Sequence, residues 1–203
     1  MVQIYIAQHA ATIISPCDIE RYVSYVRDIV ESEKKKLILV GHSLGWVIIT
    51  KVIDDIIDDV IEKVYYISAL IPTNGDTVAS MLKKDNGSEL STAVRMSKKD
   101  LTIELIFEKA RTIYYNGCSD EDFEFARGLI LPQSIIPFST PLELQNNKRT
   151  NSVGIVSEND KFLSPDYQRL MHKKAGCKIR SIASGHAPFF SIFSQLAEML
   201  SEN

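Results

Sequence analysis

The chain has 203 residues, 45 % hydrophobic and 24 % charged, with a net charge of −3. That length carries one domain with a core of its own, and the charge balance gives no reason to expect nucleic acid or an anionic membrane as partner. No apolar run reaches the roughly 18 residues of a membrane span, and no basic segment followed by an apolar stretch marks a secretory signal. Cys17, Cys118 and Cys177 are odd in number and widely spaced; they suit a reducing cytoplasm and lack metal-ligand spacing.

In chain order, Val2–Ala7 predicts a strand near 3–7, and a helix is predicted over 18–32. Lys34, Lys35 and Lys36 read as a solvated loop. Leu37-Ile38-Leu39-Val40 is a buried strand, 37–41, and a helix is predicted over 44–62 with Ile49, Val52, Ile53, Ile56, Ile57 and Val60 at helical spacing. Asp54, Asp55, Asp58 and Asp59 fall on its opposite face and read as a solvated acidic surface. Further strands are predicted at 63–69, 152–156 and 178–183, with helices at 165–174 and 189–201. Short apolar strands separated by helices imply an α/β fold, a mostly parallel sheet covered on both faces. Residues 77–145 break the alternation and read as a helical cap inserted within a single domain spanning 1–203.

One motif carries chemistry. Gly41-His42-Ser43-Leu44-Gly45 lies between the 37–41 strand and the following helix. G-x-S-x-G in that context is a nucleophile elbow: a tight, strained turn with small residues two positions either side, holding a serine above the sheet at a helix N-terminus. Such a serine needs a base, and the base an acid to orient it. In this arrangement acid and then base follow in the chain. Asp160 lies past the 152–156 strand, at the carboxyl end where sites on parallel sheets are built; Glu158 and Asp166 are its rivals. His186 falls on the loop beyond the 178–183 strand. Of the other histidines, His42 lies inside the elbow, His9 in a loop and His172 on a helix beside Lys173 and Lys174, read as solvated.

The Gly41–Gly45 run and Asp160 resemble the general α/β-hydrolase pattern. Gly185-His186-Ala187-Pro188-Phe189-Phe190-Ser191, with Leu196-Ala197 following, is similar to the hydroxynitrile lyase and plant methyl-esterase group. Tyr66-Ile67-Ser68-Ala69-Leu70-Ile71-Pro72, then Gly75-Asp76, resembles that group's entry to the cap. Tyr114-Tyr115-Asn116-Gly117-Cys118-Ser119-Asp120, with Leu131-Pro132-Gln133, resembles the cap of bacterial members. The resemblance implies the α/β-hydrolase fold, here amino-terminally incomplete: no His-Gly-rich oxyanion loop occurs, and the family's first strand and helix are expected to be absent. Trp46 stands where the family has a further glycine, so its indole is expected to push the helix away or turn outward.

These readings imply a serine hydrolase of small carboxylic esters. Ser43 attacks, His186 moves the proton, Asp160 orients His186 and the Leu44 backbone N–H donates to the oxyanion. No metal or organic cofactor is required; the partner is a small-molecule ester, with neither nucleic acid nor membrane, and a homo-oligomer is compatible. The cap is expected to shape an apolar pocket. Two alternatives stand: an impaired or truncated homologue serving as a binding module, and a hydroxynitrile lyase. The resemblance implies a lysine after the catalytic histidine of the lyases, where this chain has Ala187.

Overall fold

A computed structural model describes residues 18–56, 60–145 and 151–202. The predicted 3–7 strand, His9, Cys17, Asp58 and Asp59 lie outside them. Helix α1 (Ile19–Ser32) opens where Asp18 accepts a hydrogen bond from Arg21 N at 3.0 Å, satisfying one orphan donor of the first turn. Strand β1 (Leu37–His42) leads to α2 (Gly45–Asp55), and β2 (Ile61–Ile67) follows.

The stretch after β2, expected to be a helical cap, holds α3 (Val78–Leu82), α4 (Leu90–Ala93), β3 (Val94–Ser97), β4 (Thr102–Leu105), α5 (Phe107–Ile113), α6 (Asp120–Arg127), β5 (Gln133–Ser134) and α7 (Ile136–Ser139). It is therefore not purely helical: β3, β4 and β5 form a small antiparallel sheet. Strands this short, two to four residues, offer too little alternation to be read from sequence. The chain closes with β6 (Ser152–Ser157), α8 (Pro165–Lys174), β7 (Lys178–Ile182), α9 (Pro188–Ser191) and α10 (Phe193–Ser201). The single helix predicted over 189–201 is broken at Ile192, whose φ of −146° is extended rather than helical.

The main sheet runs β1-β2-β6-β7, all parallel. Alternation along β2 sorts the core. Val64 and Tyr66 face the cluster holding Val23, Trp46, Ile49, Val52 and Met171 of α1, α2 and α8. Tyr65 and Ile67 face the cluster of Ile155, Ile182, Leu196 and Leu200 under α10. Burying a side chain such as Val64 or Ile155 contributes about 1.5–3 kcal/mol. Among the described residues no strand pairs with the other edge of β1.

Three readings of α2 are narrowed or corrected. Of the two alternatives for Trp46, the outward turn is excluded: the side chain is 1 % exposed within the core. The helix stops at Asp55, and Ile61 already belongs to β2. Asp54 is not solvated either: it is buried, and its Oδ2 accepts from Gln145 N at 2.6 Å, while Asp55 pairs with Lys51 and Arg27.

His172, expected to be solvated, is fully buried. Its Nε2 lies 2.9 Å from Ala69 O. A carbonyl only accepts, so Nε2 carries the hydrogen, while Nδ1 is buried with no hydrogen-bond partner among the described residues to receive a second one, and the ring is neutral. Nδ1 presses on Gly154, where an added Cβ would come within 2.1 Å of it. Burial pushes the His172 pKa down from 6.5 to about 4, although the Ala69 carbonyl pulls it upward. Between these values the unfolded chain holds a proton that the folded chain lacks. Stability is thus fully present above about pH 6.5 and declines as pH falls toward 4, by about 3 kcal/mol for a gap of that size. We expect urea midpoints to fall between pH 7 and pH 4.5, and the decline to shrink in His172→Gln.

Candidate active site

Strand β1 delivers Ser43 to the carboxyl edge of the sheet. The ladder continues one residue beyond it, Ser43 N donating to Ile67 O at 3.2 Å, and the chain then turns straight into α2 with Trp46 N bonding Ser43 O at 3.0 Å. The turn forces Ser43 to φ +49°, a left-handed conformation that costs a non-glycine residue about 1–3 kcal/mol. The demand for small neighbours proves one-sided. A Cβ at Gly41 would come within 2.4 Å of Ile49 Cδ1 and 3.2 Å of the Gly45 backbone, whereas a Cβ at Gly45 would meet nothing within 4 Å. Leu44 sits at the head of α2, among the first N–H groups that no preceding carbonyl of the helix can take.

Asp160 and His186 arrive on the loops after β6 and β7. His186 Nε2 is 2.8 Å from Ser43 Oγ, and His186 Nδ1 is 2.7 Å from Asp160 Oδ2. The structure thus brings together the three residues singled out in the sequence. It separates the rivals: Glu158 pairs with Arg169, and Asp166 lies in the first turn of α8, which Ser164 caps.

The Asp160 carboxylate is wholly enclosed and receives four donors. Oδ1 accepts from Phe162 N at 2.8 Å and Leu163 N at 3.0 Å; Oδ2 accepts from Gln168 Nε2 at 2.8 Å and from His186. With those donors in place His186 carries its hydrogen on Nδ1 and presents a lone pair to Ser43. Gln168 is fully buried, and its Oε1 accepts from Ser157 N at the end of β6. It was not anticipated from the sequence; a glutamine one helical step from buried Tyr167 and Met171 was the available signal.

His42, left open in the sequence, contributes to the site. Its Nε2 donates to the His186 carbonyl at 2.7 Å, tying the elbow to the loop that carries His186. Burial, reinforced by the neighbouring His186, pushes the His42 pKa down to about 3, so His42 stays neutral. Rings close around them. Tyr114 and Phe162 lie 4.5 and 4.8 Å from the His186 ring, and Phe189 lies 4.9 Å from His42. Tyr114 belongs to the stretch after β2, so part of this apolar wall comes from the expected cap.

The same stretch also clamps the loops. Asn116 Nδ2 donates to Asn159 O at 2.8 Å, beside Asp160. Gly185 packs against it so closely that an added Cβ would lie 2.2 Å from Asn116 Oδ1 and 2.3 Å from Asn116 O. One of those atoms is backbone and cannot swing aside. Gly185→Ala should therefore displace His186 and lower kcat/KM on the order of 10²-fold, measurable against an ester with a chromogenic leaving group. Among the described residues no three His, Cys, Asp or Glu side chains are grouped to hold a metal ion, and no helix is long and apolar enough to cross a membrane.

No family model matches the chain. It is 24 % identical over 199 residues to a pyrethroid hydrolase of Sphingobium wenxiniae, covering 93 % of this chain and 71 % of that protein. Its structure is similar to that of a pyrethroid hydrolase from Sphingobium faniae, with a TM-score of 0.78, 24 % identity and coverage of 91 % and 77 % of the two chains. It is similar also to a methylesterase from Arabidopsis, with a TM-score of 0.76, 20 % identity and coverage of 94 % and 78 %. Both solved structures are of α/β-hydrolase fold.

Proposed function

We propose that this chain, which has the α/β-hydrolase fold, is a serine hydrolase of small, apolar carboxylic esters. The observation that carries the reading is the unbroken line from Ser43 Oγ through His186 to Asp160, with the serine in a strained left-handed turn. The names of the similar proteins, hydrolases of esters among them, point the same way.

Ser43 Oγ attacks the ester carbonyl while His186 Nε2 takes the serine proton. Asp160 keeps the imidazole in the receptive tautomer and stabilises the imidazolium. The Leu44 N–H donates to the oxyanion. Collapse expels the alcohol, which takes the proton from His186; water then repeats the sequence on the acyl-enzyme and releases the acid. The rings of Tyr114, Phe162 and Phe189 suit apolar acyl or alcohol groups and keep bulk water from the imidazole.

Cyanohydrin cleavage fits less well. Ala187, buried at 1 % exposure, offers no positive charge to a departing cyanide. Turnover of 4-nitrophenyl butyrate by the purified protein, with covalent capture of Ser43 by a fluorophosphonate, tests the proposal. A protein inert to both, or one releasing cyanide from a cyanohydrin as fast as it cleaves the ester, overturns it.

A further inference from the structure

The loop that carries Asp160 is held from outside as well as from within. Three successive N–H groups point away from it before α8 begins. Phe162 N and Leu163 N donate to Asp160 Oδ1. Ser164 N, the next in line, donates at 2.8 Å to Oδ2 of a different carboxylate, Asp85. Asp85 arrives from between α3 and α4 and is 6 % exposed. Its Oδ1 accepts from the Ser164 hydroxyl and, at 3.3 Å, from Gly87 N. The Ser164 hydroxyl accepts in turn from Tyr167 N at 3.3 Å, in the first turn of α8. Neighbours of Asp85 take the loop's carbonyls: Ser88 Oγ donates to Phe162 O at 2.6 Å, and Glu89 N to Lys161 O at 2.8 Å. The two segments lie so close that a Cβ at Gly87 would come within 2.8 Å of Ser164 Cβ. A buried carboxylate is costly unless hydrogen bonds satisfy it, so Asp85 and Ser164 hold each other in place.

We propose that Asp85 is a positioning residue for the catalytic acid, fixing through Ser164 the loop whose N–H groups aim Asp160 at His186. The inference rests on the ester-hydrolase reading. Asp85 acts only through the loop, as the acceptor for Ser164 N. Leu163 alone separates the last donor to Asp160 from the donor to Asp85, so a shift of Ser164 reaches Leu163 N through the two backbone torsions of one residue. The two N–H groups on Oδ1 set the plane of the Asp160 carboxylate. That plane decides where Oδ2 lies, 2.7 Å from His186 Nδ1. When the third N–H loses its acceptor, the first two drift, the carboxylate turns and the bond to His186 lengthens. The Phe162 ring, 4.8 Å from that of His186, travels with the same loop. Ser88 and Glu89 still anchor the carbonyl side, so the loop shifts without coming free. A misplacement of about 1 Å costs about 10²-fold in rate; a loop that keeps part of its anchorage should lose less, on the order of 10-fold.

Asp85→Ala removes the acceptor for Ser164 N. Asp85→Asn keeps one: the amide oxygen takes Ser164 N, and the NH₂ faces the Ser164 hydroxyl, which can accept. For 4-nitrophenyl butyrate, kcat should fall on the order of 10-fold in Asp85→Ala with KM nearly unchanged, and return to within about 3-fold of wild type in Asp85→Asn. Proton NMR supplies a readout that needs no turnover. The low-field resonance of His186 Nδ1–H, which reports the bond to Asp160, should move upfield in Asp85→Ala and keep its place in Asp85→Asn. Should Asp85→Ala fail to fold, Asp85→Glu carries the same test: it keeps the charge but displaces the acceptor by one methylene, so the same upfield move and loss of kcat are expected. A wild-type kcat in the folded variant overturns the proposal. So does an unmoved resonance, even beside a lowered kcat, because Asp85 then supports the fold and not the aim of Asp160. An Asp85→Asn as impaired as Asp85→Ala overturns it too, since an acceptor for Ser164 N would not be what matters. An active wild type with an unaltered Asp85→Ala leaves ester hydrolysis standing and removes the positioning role. A wild type inert to the ester and to a fluorophosphonate removes the hydrolase reading, while the resonance still decides whether Asp85 holds Asp160 to His186.

Discussion

Ser43→Ala should abolish ester turnover, lowering kcat on the order of 10⁴-fold or more, with the fold intact. Without Oγ there is nothing for His186 to activate, and what remains is the binding and oxyanion stabilisation that such sites retain. A second variant separates chemistry from strain. Ser43 stands at φ +49°, where a non-glycine residue gives up about 1–3 kcal/mol. Glycine is free of that cost but loses about 0.4–1 kcal/mol through its looser unfolded chain. The first effect is the larger, so Ser43→Gly should be as inactive as Ser43→Ala yet unfold at higher urea, by about 1 kcal/mol. Activity in either variant above a trace would show that the nucleophile lies elsewhere. Reduced stability in Ser43→Gly would show that the turn is relaxed, and that the elbow stores no strain for its serine.

The sheet and the site differ in how far the residues alone announce them. Strands β1, β6 and β7 and helices α1 and α8 match their predicted spans within a residue or so, because each pairs a clear apolar period with an end signal such as Asp18 or the Ser164-Pro165 pair. The placement of Ser43, Asp160 and His186 follows from one rule: residues just past parallel strands meet at one edge of the sheet. What stays hidden is what arrives from far along the chain. His172 and Asp54 look solvated beside their charged neighbours, and only the approach of Ala69 and of Gln145 removes them from water. Asn116 against Gly185, and His42 against the His186 carbonyl, join positions 69 and 144 apart in sequence. No local period encodes such a distance. For Trp46 the residues alone leave displacement of α2 and an outward turn as alternatives, and its near-complete burial excludes the second.

Asp160→Asn should cost about 10⁴-fold in kcat while changing the shape of the side chain hardly at all. The carboxylate takes two backbone donors on Oδ1 and two side-chain donors on Oδ2. An amide has one oxygen to offer. If that oxygen keeps Phe162 and Leu163, the NH₂ faces Gln168 and His186. It then donates to His186 Nδ1, the imidazole hydrogen moves to Nε2, and the lone pair that should receive the Ser43 proton is gone. Gln168 meets a donor where it had an acceptor. It must lose that bond or flip, surrendering its contacts with Ser157 N and Leu163 O. A buried polar group left unsatisfied in this way costs about 1–3 kcal/mol, so stability should fall along with activity. Nitrogen-15 correlation spectra of the histidine rings read the tautomer directly: the His186 proton should sit on Nδ1 in the wild type and on Nε2 in the variant. Gln168→Met supplies the contrast. It removes one donor from Asp160 but leaves the His186 bond, so it should be destabilised to a similar degree yet lose far less kcat and keep the wild-type tautomer. If the two variants lost equal activity, Asp160 would act only by holding the loop together; if Asp160→Asn kept wild-type kcat, the carboxylate would have no part in orienting His186.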